Sequence, residues 1–361
     1  MTRVLIVEDS PVEQALLAHI LNSDPSIEVA GVADDGQKAL SAVERLNPDL
    51  VTMDIHMPNL NGFETTRRIM EENPLPIVIV SGSTNIMDAD KTFRAMEAGA
   101  LALVRKPRGV GHPDHAGDAR ELIKTVKAMS EVKVVKRWAR ARAPLPQPNP
   151  VIIDRAPAEI RAVAIGASTG GPAVLQTIIS GLPADFPAPV LIVQHMSAGF
   201  MESFVAWISS STRFPVKLGV HGEIIVPGTA YLAPDGFHML AGKDGRITLA
   251  RNGDASGLCP SVARLFRSVA EAFGQNAVGV LLTGMGRDGA DELKLMRSMG
   301  AVTIVQDRES SVVFGMPGEA LRLDAADYVL PPERIAGFLA GIVKPRSGGA
   351  SDRKLLPLYR T

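Results

Sequence analysis

Apolar residues in the first third of the chain gather into five short runs, at 3–7, 27–32, 50–53, 76–80 and 101–104. Four of them stop at chemistry-bearing residues: Glu8 and Asp9, then Asp54, then Ser81, and finally Lys106 followed by Pro107. Helical periodicity fills the gaps. From Pro11, the residues Val12, Leu16, Leu17, Ile20 and Leu21 share one face, and further helices are predicted over 36–46, 62–71 and up to 98. Strands alternating with helices predict a parallel sheet covered on both faces, with function at the carboxyl ends of its strands. A further helix is predicted over about 121–141. Its apolar stripe (Leu122, Val126, Met129) gives way to Lys133, Lys136, Arg137, Arg140 and Arg142. Pro144, Pro146, Pro148 and Pro150 then alternate, which predicts a stiff, extended linker.

The second half repeats the strand–helix alternation without repeating the sequence. Apolar runs at 162–165, 189–194, 277–282 and 301–305 read as buried strands, and the stretch 172–179 reads as a helix with Pro in its first turn. Residues 261–273 carry Val262, Leu265, Phe266, Val269 and Phe273 at helical spacing. Residues 216–250 lack that period and hold two turn signals, Pro234-Asp235-Gly236 and Lys243-Asp244-Gly245, so added β-hairpins are expected. One last helix after Gly315-Met316-Pro317 closes the unit, and the tail from 345 is expected to be disordered.

Composition narrows the function classes. Lys and Arg total 38 against 39 Asp and Glu, a net charge of −1 that provides no electrostatic footprint for nucleic acid or an anionic membrane. A single cysteine, Cys259, excludes a disulfide framework and a Cys-rich metal site and fits a cytoplasmic setting. The amino terminus meets Glu8 and Asp9 too early for a signal peptide, and no apolar run is long enough to span a bilayer.

Two constellations carry chemistry. Three carboxylates converging from strand ends repel one another unless a hard divalent cation with oxygen ligands neutralises them, which suits Mg²⁺. An ionised Asp54 beside such an ion can attack a phosphoryl donor, with Lys106 on the phosphoryl oxygens and the Ser81 hydroxyl close by. In the second half, Gly166-Ala167-Ser168-Thr169-Gly170-Gly171 joins a strand to a helix and matches the G-x-S-x-G nucleophile elbow. A glycine-rich turn whose serine merely caps the helix, or a phosphate-binding loop, stays open on these six residues alone. Ser168, His195 and Asp288 each follow an apolar strand, so in a doubly wound sheet they face one crevice as hydroxyl, imidazole and carboxylate. An exposed strand-end histidine and a helix-capping aspartate are the plainer alternatives. Competing functions are a nucleotide-binding regulatory module and a transcription regulator; the absence of a basic recognition helix counts against the second.

The motifs Val7-Glu8-Asp9-Ser10, Met53-Asp54-Ile55-His56-Met57-Pro58, Val80-Ser81-Gly82 and Val104-Arg105-Lys106-Pro107 resemble a response-regulator receiver domain. That resemblance implies a flavodoxin-like fold, Asp54 as phosphoacceptor, Mg²⁺ held by Glu8, Asp9, Asp54 and the His56 backbone carbonyl, and a histidine kinase as phosphodonor. Leu103 stands where many receivers have a switching aromatic residue. The stretch 109–117 is expected to be a longer solvated loop, with no metal role for His112 or His115. The motifs Ile165 to Gly171, Val193-Gln194-His195-Met196, Tyr231-Leu232-Ala233-Pro234, Leu282 to Ala290 and Gly315-Met316-Pro317 are similar to the catalytic domain of the chemotaxis protein-glutamate methylesterases, the CheB type. This second resemblance implies a Rossmann-like esterase domain with an added β-hairpin. It implies Ser168 as nucleophile, His195 as base and acid, Asp288 as orienter, and the amides near Thr169 and Met285 as the oxyanion hole. The substrates implied are methylated glutamates, and certain glutamines, of chemoreceptor signalling helices, with no cofactor for the hydrolysis and no membrane insertion. Cys259-Pro260-Ser261-Val262-Ala263 departs from that family's expected pattern of a basic residue before the proline and an acid at 263. The departure bears on receptor preference. The expected organisation is α/β throughout: a receiver over 1–125, a basic helix end and linker over 126–157, a catalytic domain over 158–344 and a tail over 345–361.

Overall fold

In the computed structural model, the described residues are 1–82, 86–132, 134, 159–251 and 258–343. The chain divides into two compact units, Met1–Ala143 and Pro144–Thr361. The basic residues from Lys133 to Arg142, the alternating prolines to 150 and the tail from 345 lie outside the described residues, apart from Val134. No helix among the described residues is long and apolar enough to cross a membrane.

The first unit runs β1 (Thr2–Val7), α1 (Pro11–Asn22), β2 (Ile27–Ala33), α2 (Gly36–Leu46), β3 (Leu50–Met53), α3 (Gly62–Glu72), β4 (Ile77–Ser81), α4 (Ile86–Glu97), β5 (Ala102–Arg105) and α5 (His115–Ser130). Its sheet is parallel with strand order β2-β1-β3-β4-β5. The order reverses direction between β1 and β3, and that switch point is where Glu8, Asp9 and Asp54 emerge. Helix starts follow the expected cap chemistry: Ser10, Asp35 and Asn61 each accept an amide hydrogen bond from the third residue on.

Two expectations for this unit need correcting. Val12 is 76% exposed, so the buried face of α1 is Leu17, Ile20 and Leu21. Val12 sits in the first turn of the helix. The loop after Pro107 is also shorter than expected, because α5 begins at His115. Arg108 holds that start in place: its Nε donates to Asp118 Oδ2 at 2.8 Å, it pairs with Asp114, and its carbonyl lies 2.6 Å from His115 Nδ1.

The second unit contains β6 (Ala162–Ala167), α6 (Gly171–Ser180), β7 (Val190–Gln194), α7 (Met201–Ser211), β8 (Val216–Leu218), β9 (Ala230–Leu232), β10 (Phe237–Ala241) and β11 (Ile247–Arg251). It continues with α8 (Val262–Phe273), β12 (Ala277–Leu281), α9 (Ala290–Ser298), β13 (Val302–Gln306), α10 (Met316–Arg322), β14 (Tyr328–Leu330) and α11 (Pro332–Ile342). Seven strands form one parallel sheet, ordered β14-β13-β12-β6-β7-β9-β8. β6 and β7 are buried along their whole length, which is why they read as unbroken apolar runs rather than as alternation.

The stretch 216–250 supplies one antiparallel hairpin, β10 with β11, which forms a sheet of its own. Where further hairpins were expected, β8 and β9 extend the edge of the parallel sheet. The last part of the chain holds two helices with β14 between them, where the sequence showed one helix. Three residues are too few for β14 to show a period.

Candidate active site and phosphoacceptor cluster

In the first unit, one oxygen from each of Glu8, Asp9 and Asp54 lies within 4.8 Å of the others. Lys106 reaches into the same group, its Nζ 2.6 Å from Glu8 Oε2 and 3.3 Å from Asp54 Oδ2. The Lys106 amide donates to the Ser81 carbonyl at 2.9 Å, which ties the ends of β4 and β5 together. Asp54 Oδ1 accepts from the Ile55 amide at 2.8 Å. Glu8 and Asp54 are buried while Asp9 faces solvent.

Burial raises the carboxyl of Glu8 above its ordinary value despite the hydrogen bond from Lys106. Burial likewise raises Asp54, against the pull of Lys106 and of the Ile55 and His56 amides. The Lys106 ammonium, which burial would lower, is raised by Glu8 and Asp54 together. Three carboxylates against one ammonium leave an excess of negative charge in a partly dehydrated, oxygen-only donor set that opens to solvent at Asp9. That combination fits a hard divalent cation.

In the second unit, β6 ends in the turn that carries Ser168. Gly170 there has φ +77°, a conformation that glycine adopts without strain, and α6 starts at the next residue. The register pairs Ala167 with Gln194, so one step further along the strands Ser168 and His195 stand side by side. The side chain of Gln194 makes this neighbourhood rigid. Its Nε2 donates to the Ser168 carbonyl at 2.8 Å and to the His195 carbonyl at 2.7 Å.

Asp288 arrives from the loop between β12 and α9. Its Oδ2 lies 3.0 Å from His195 Nε2. Ser168 Oγ itself makes no hydrogen bond among the described residues; the structure pairs imidazole with carboxylate and leaves the hydroxyl unengaged. Burial would raise the Asp288 carboxyl, but His195 and the amides of Ala263 and Val262 outweigh it and hold the group below its ordinary range.

The capping alternative for Asp288 turns out to be half right. It does accept helix amides, but those of Val262 and Ala263 in α8, while Gly289 occupies the cap position of α9. The amides of Thr169 and Met285 find no acceptor among the described residues. The Met285 loop is fixed beside Ser168 by the Gly284 carbonyl, which accepts from Gly315 at 3.1 Å and from Met316 at 2.9 Å. A Cβ added at Gly284 would lie 2.7 Å from Ser168 Cβ.

Sequence reasoning missed the buried polar groups behind the site: Gln194, Thr283 and Gln306. Thr283 Oγ1 donates to the Thr169 carbonyl at 2.9 Å, and Gln306 Oε1 accepts from the Thr283 amide at 2.8 Å. Each is the polar residue at or just after the end of an apolar strand, which is the signal that could have singled them out. Cys259 is partly buried and carries no disulfide.

Comparison with known proteins agrees with both halves. The family model described as CheB methylesterase matches residues 163–339, and that of the response regulator receiver domain matches 4–112. A protein-glutamate methylesterase/protein-glutamine glutaminase of Syntrophus aciditrophicus is 56% identical over 96% of this chain and 100% of its own length. One from Geobacter metallireducens is 55% identical over 95% of this chain and 99% of its own. Among solved structures, the Thermotoga maritima CheB methylesterase catalytic domain is 37% identical, covering 51% of this chain and 100% of that one, with a TM-score of 0.49.

Proposed function

The chain belongs to the CheB methylesterase family, and on that premise we propose that Ser168, His195 and Asp288 hydrolyse glutamate γ-methyl esters under the control of phosphorylation at Asp54. The receiver is assigned to 1–125 and the catalytic domain to 158–344, consistent with the family matches at 4–112 and 163–339. The substrates are methylated glutamates on the signalling helices of chemoreceptors, with deamidation of receptor glutamines as the parallel reaction. The setting this requires is cytoplasmic.

In the first half-reaction, Ser168 Oγ attacks the ester carbonyl while His195 takes its proton through Nδ1. The Thr169 and Met285 amides, with the amino terminus of α6 behind them, receive the developing oxyanion. His195 then gives its proton to the departing methanol. In the second half-reaction, His195 activates a water that attacks the acyl-serine, releasing glutamate and restoring Ser168. A glutamine substrate loses ammonia in place of methanol. Asp288 keeps the imidazole oriented and stabilises its charged form.

In the receiver, an Asp54 oxygen attacks the phosphoryl group carried by a histidine kinase, forming an acyl phosphate as the kinase histidine leaves. Lys106 and the Ser81 hydroxyl contact the transferred phosphoryl oxygens. Glu8, Asp9, Asp54 and the His56 backbone carbonyl would hold Mg²⁺, which when bound supplies charge neutralisation for the incoming phosphoryl group.

The observation that carries the reading is the 3.0 Å approach of His195 Nε2 to Asp288 Oδ2, with Ser168 and His195 each one residue beyond the paired strand ends Ala167 and Gln194. It is tested by methanol release from methylated receptor. Ser168→Ala, His195→Ala and Asp288→Ala should each cost on the order of 10⁴-fold, with double variants no worse than single ones. Near-normal release by Ser168→Ala would overturn the mechanism.

A further inference from the structure

The Asp288 carboxylate is gripped by three consecutive residues at the start of α8. Oδ1 receives the Ser261 hydroxyl at 3.0 Å and the Ala263 amide at 3.0 Å, and Oδ2 receives the Val262 amide at 2.7 Å beside His195. The Ser261 hydroxyl also accepts the Arg264 amide at 3.4 Å, as the cap of α8. With its lone pair turned to the helix, its proton is directed at Asp288.

The helix start is itself locked to the site. A Cβ at Gly166, two residues before Ser168, would lie 2.3 Å from Val262 Cγ1. One at Gly289, directly after Asp288, would lie 2.4 Å from the same atom. Val262 is therefore wedged between the nucleophile's strand and the aspartate's loop, and α8 cannot shift without moving both.

We infer that Ser261 is a positioning residue for the hydrolysis: its hydroxyl, with the Val262 and Ala263 amides, fixes Asp288 against His195 and limits how strongly Asp288 holds the imidazolium. The inference rests on the triad reading above. The departure of this chain at 259–263 fits it, because position 263 contributes only an amide, which any residue except proline supplies.

A carboxylate that loses one of its donors becomes more basic and stabilises a neighbouring imidazolium more strongly. The acidic limb of kcat/KM then moves upward. The experiment uses the full chain and methylated receptor, with pH profiles for Ser261→Ala, Ser261→Gly, Ser261→Thr and Asp288→Ala. Alanine removes both cap and donor; glycine removes the donor while remaining an acceptable cap; threonine keeps both.

The expected result is a limb raised by about 0.5 pH unit or more in the alanine and glycine variants, the wild-type limb in threonine, and an unchanged KM. A glycine variant with the wild-type limb would overturn the inference and leave Ser261 as a helix cap alone. A limb equally displaced in the threonine variant would also overturn it, since the hydroxyl would then not matter. If Asp288→Ala retains its rate, the triad reading fails, a result distinct from an unmoved limb alongside a dead Asp288→Ala.

Discussion

At the scale of single residues, both sites are built from charges that the fold makes expensive, and the two are stabilised in opposite ways. Asp288 is held below its ordinary range by His195 and the α8 amides despite its burial. Glu8 and Asp54 are pushed above theirs by burial, with Lys106 shared between them. The two consequences for stability follow from linkage. A carboxyl whose folded pKa lies above its unfolded value binds a proton on folding, so its contribution is most favourable below about pH 4 and is lost as pH rises through the raised values. At neutral pH the Asp54 charge is therefore a load on the receiver. Lys106 lies closer to Glu8, at 2.6 Å, than to Asp54, at 3.3 Å, so removing the Asp54 charge leaves the tighter pair intact. Asp54→Asn should stabilise the receiver at pH 7 by about 1–2 kcal/mol, raising its calorimetric transition by a few degrees and flattening the pH dependence of that transition above pH 4. A lower melting temperature for Asp54→Asn would show that Lys106 depends on Asp54 more than on Glu8.

At the scale of elements, the sites lie where strands end, and this part of the organisation is legible in the sequence. Apolar runs closed by Glu8, Asp54, Ser81, Lys106, Ser168 and His195 mark the ends of β1, β3, β4, β5, β6 and β7. What the sequence hides is the contact between elements distant along the chain. Nothing in the periodicity of α8 says that its first turn will cap an aspartate 26 residues further on. Nothing in β8 or β9 separates an edge pairing in parallel from a hairpin, since three residues show no period. Gln194 is the clearest case. It closes β7 as an ordinary polar residue, yet its amide ties the end of β6 to the end of β7 through the carbonyls of Ser168 and His195. Gln194→Leu keeps the volume and removes both donations. The Ser168 carbonyl still accepts from the Gly171 amide, at 2.8 Å, so the larger penalty falls at His195. The catalytic unit should lose about 1–3 kcal/mol in urea unfolding. Methanol release per folded molecule should fall while phosphorylation of Asp54 is unaffected. An unfolding midpoint and a rate both equal to wild type would mean that the two strand ends hold their places without Gln194.

At the scale of the whole molecule, a receiver and a methylesterase share one chain, and this shared chain is what makes the hydrolysis subject to phosphorylation. The coupling is a free energy between two sites, limited by how much more the phosphoryl group favours the active state than the resting one. A tenfold activation corresponds to about 1.4 kcal/mol and a hundredfold activation to about 2.7 kcal/mol, which a few charge-assisted hydrogen bonds made by a new phosphoryl group can supply. The full chain, given a phosphodonor and Mg²⁺, should therefore release methanol from methylated receptor about 10–100-fold faster than without them. Asp54→Ala should remain at the resting rate with or without phosphodonor. Ser168→Ala should take up the same acid-labile, hydroxylamine-sensitive label as wild type and release no methanol. Chelation of divalent cations should abolish labelling and activation together while sparing the resting rate. Activation that persists in Asp54→Ala would place the phosphoacceptor elsewhere. A resting rate that falls on chelation in the Asp54→Ala variant would tie a metal ion to the hydrolysis itself.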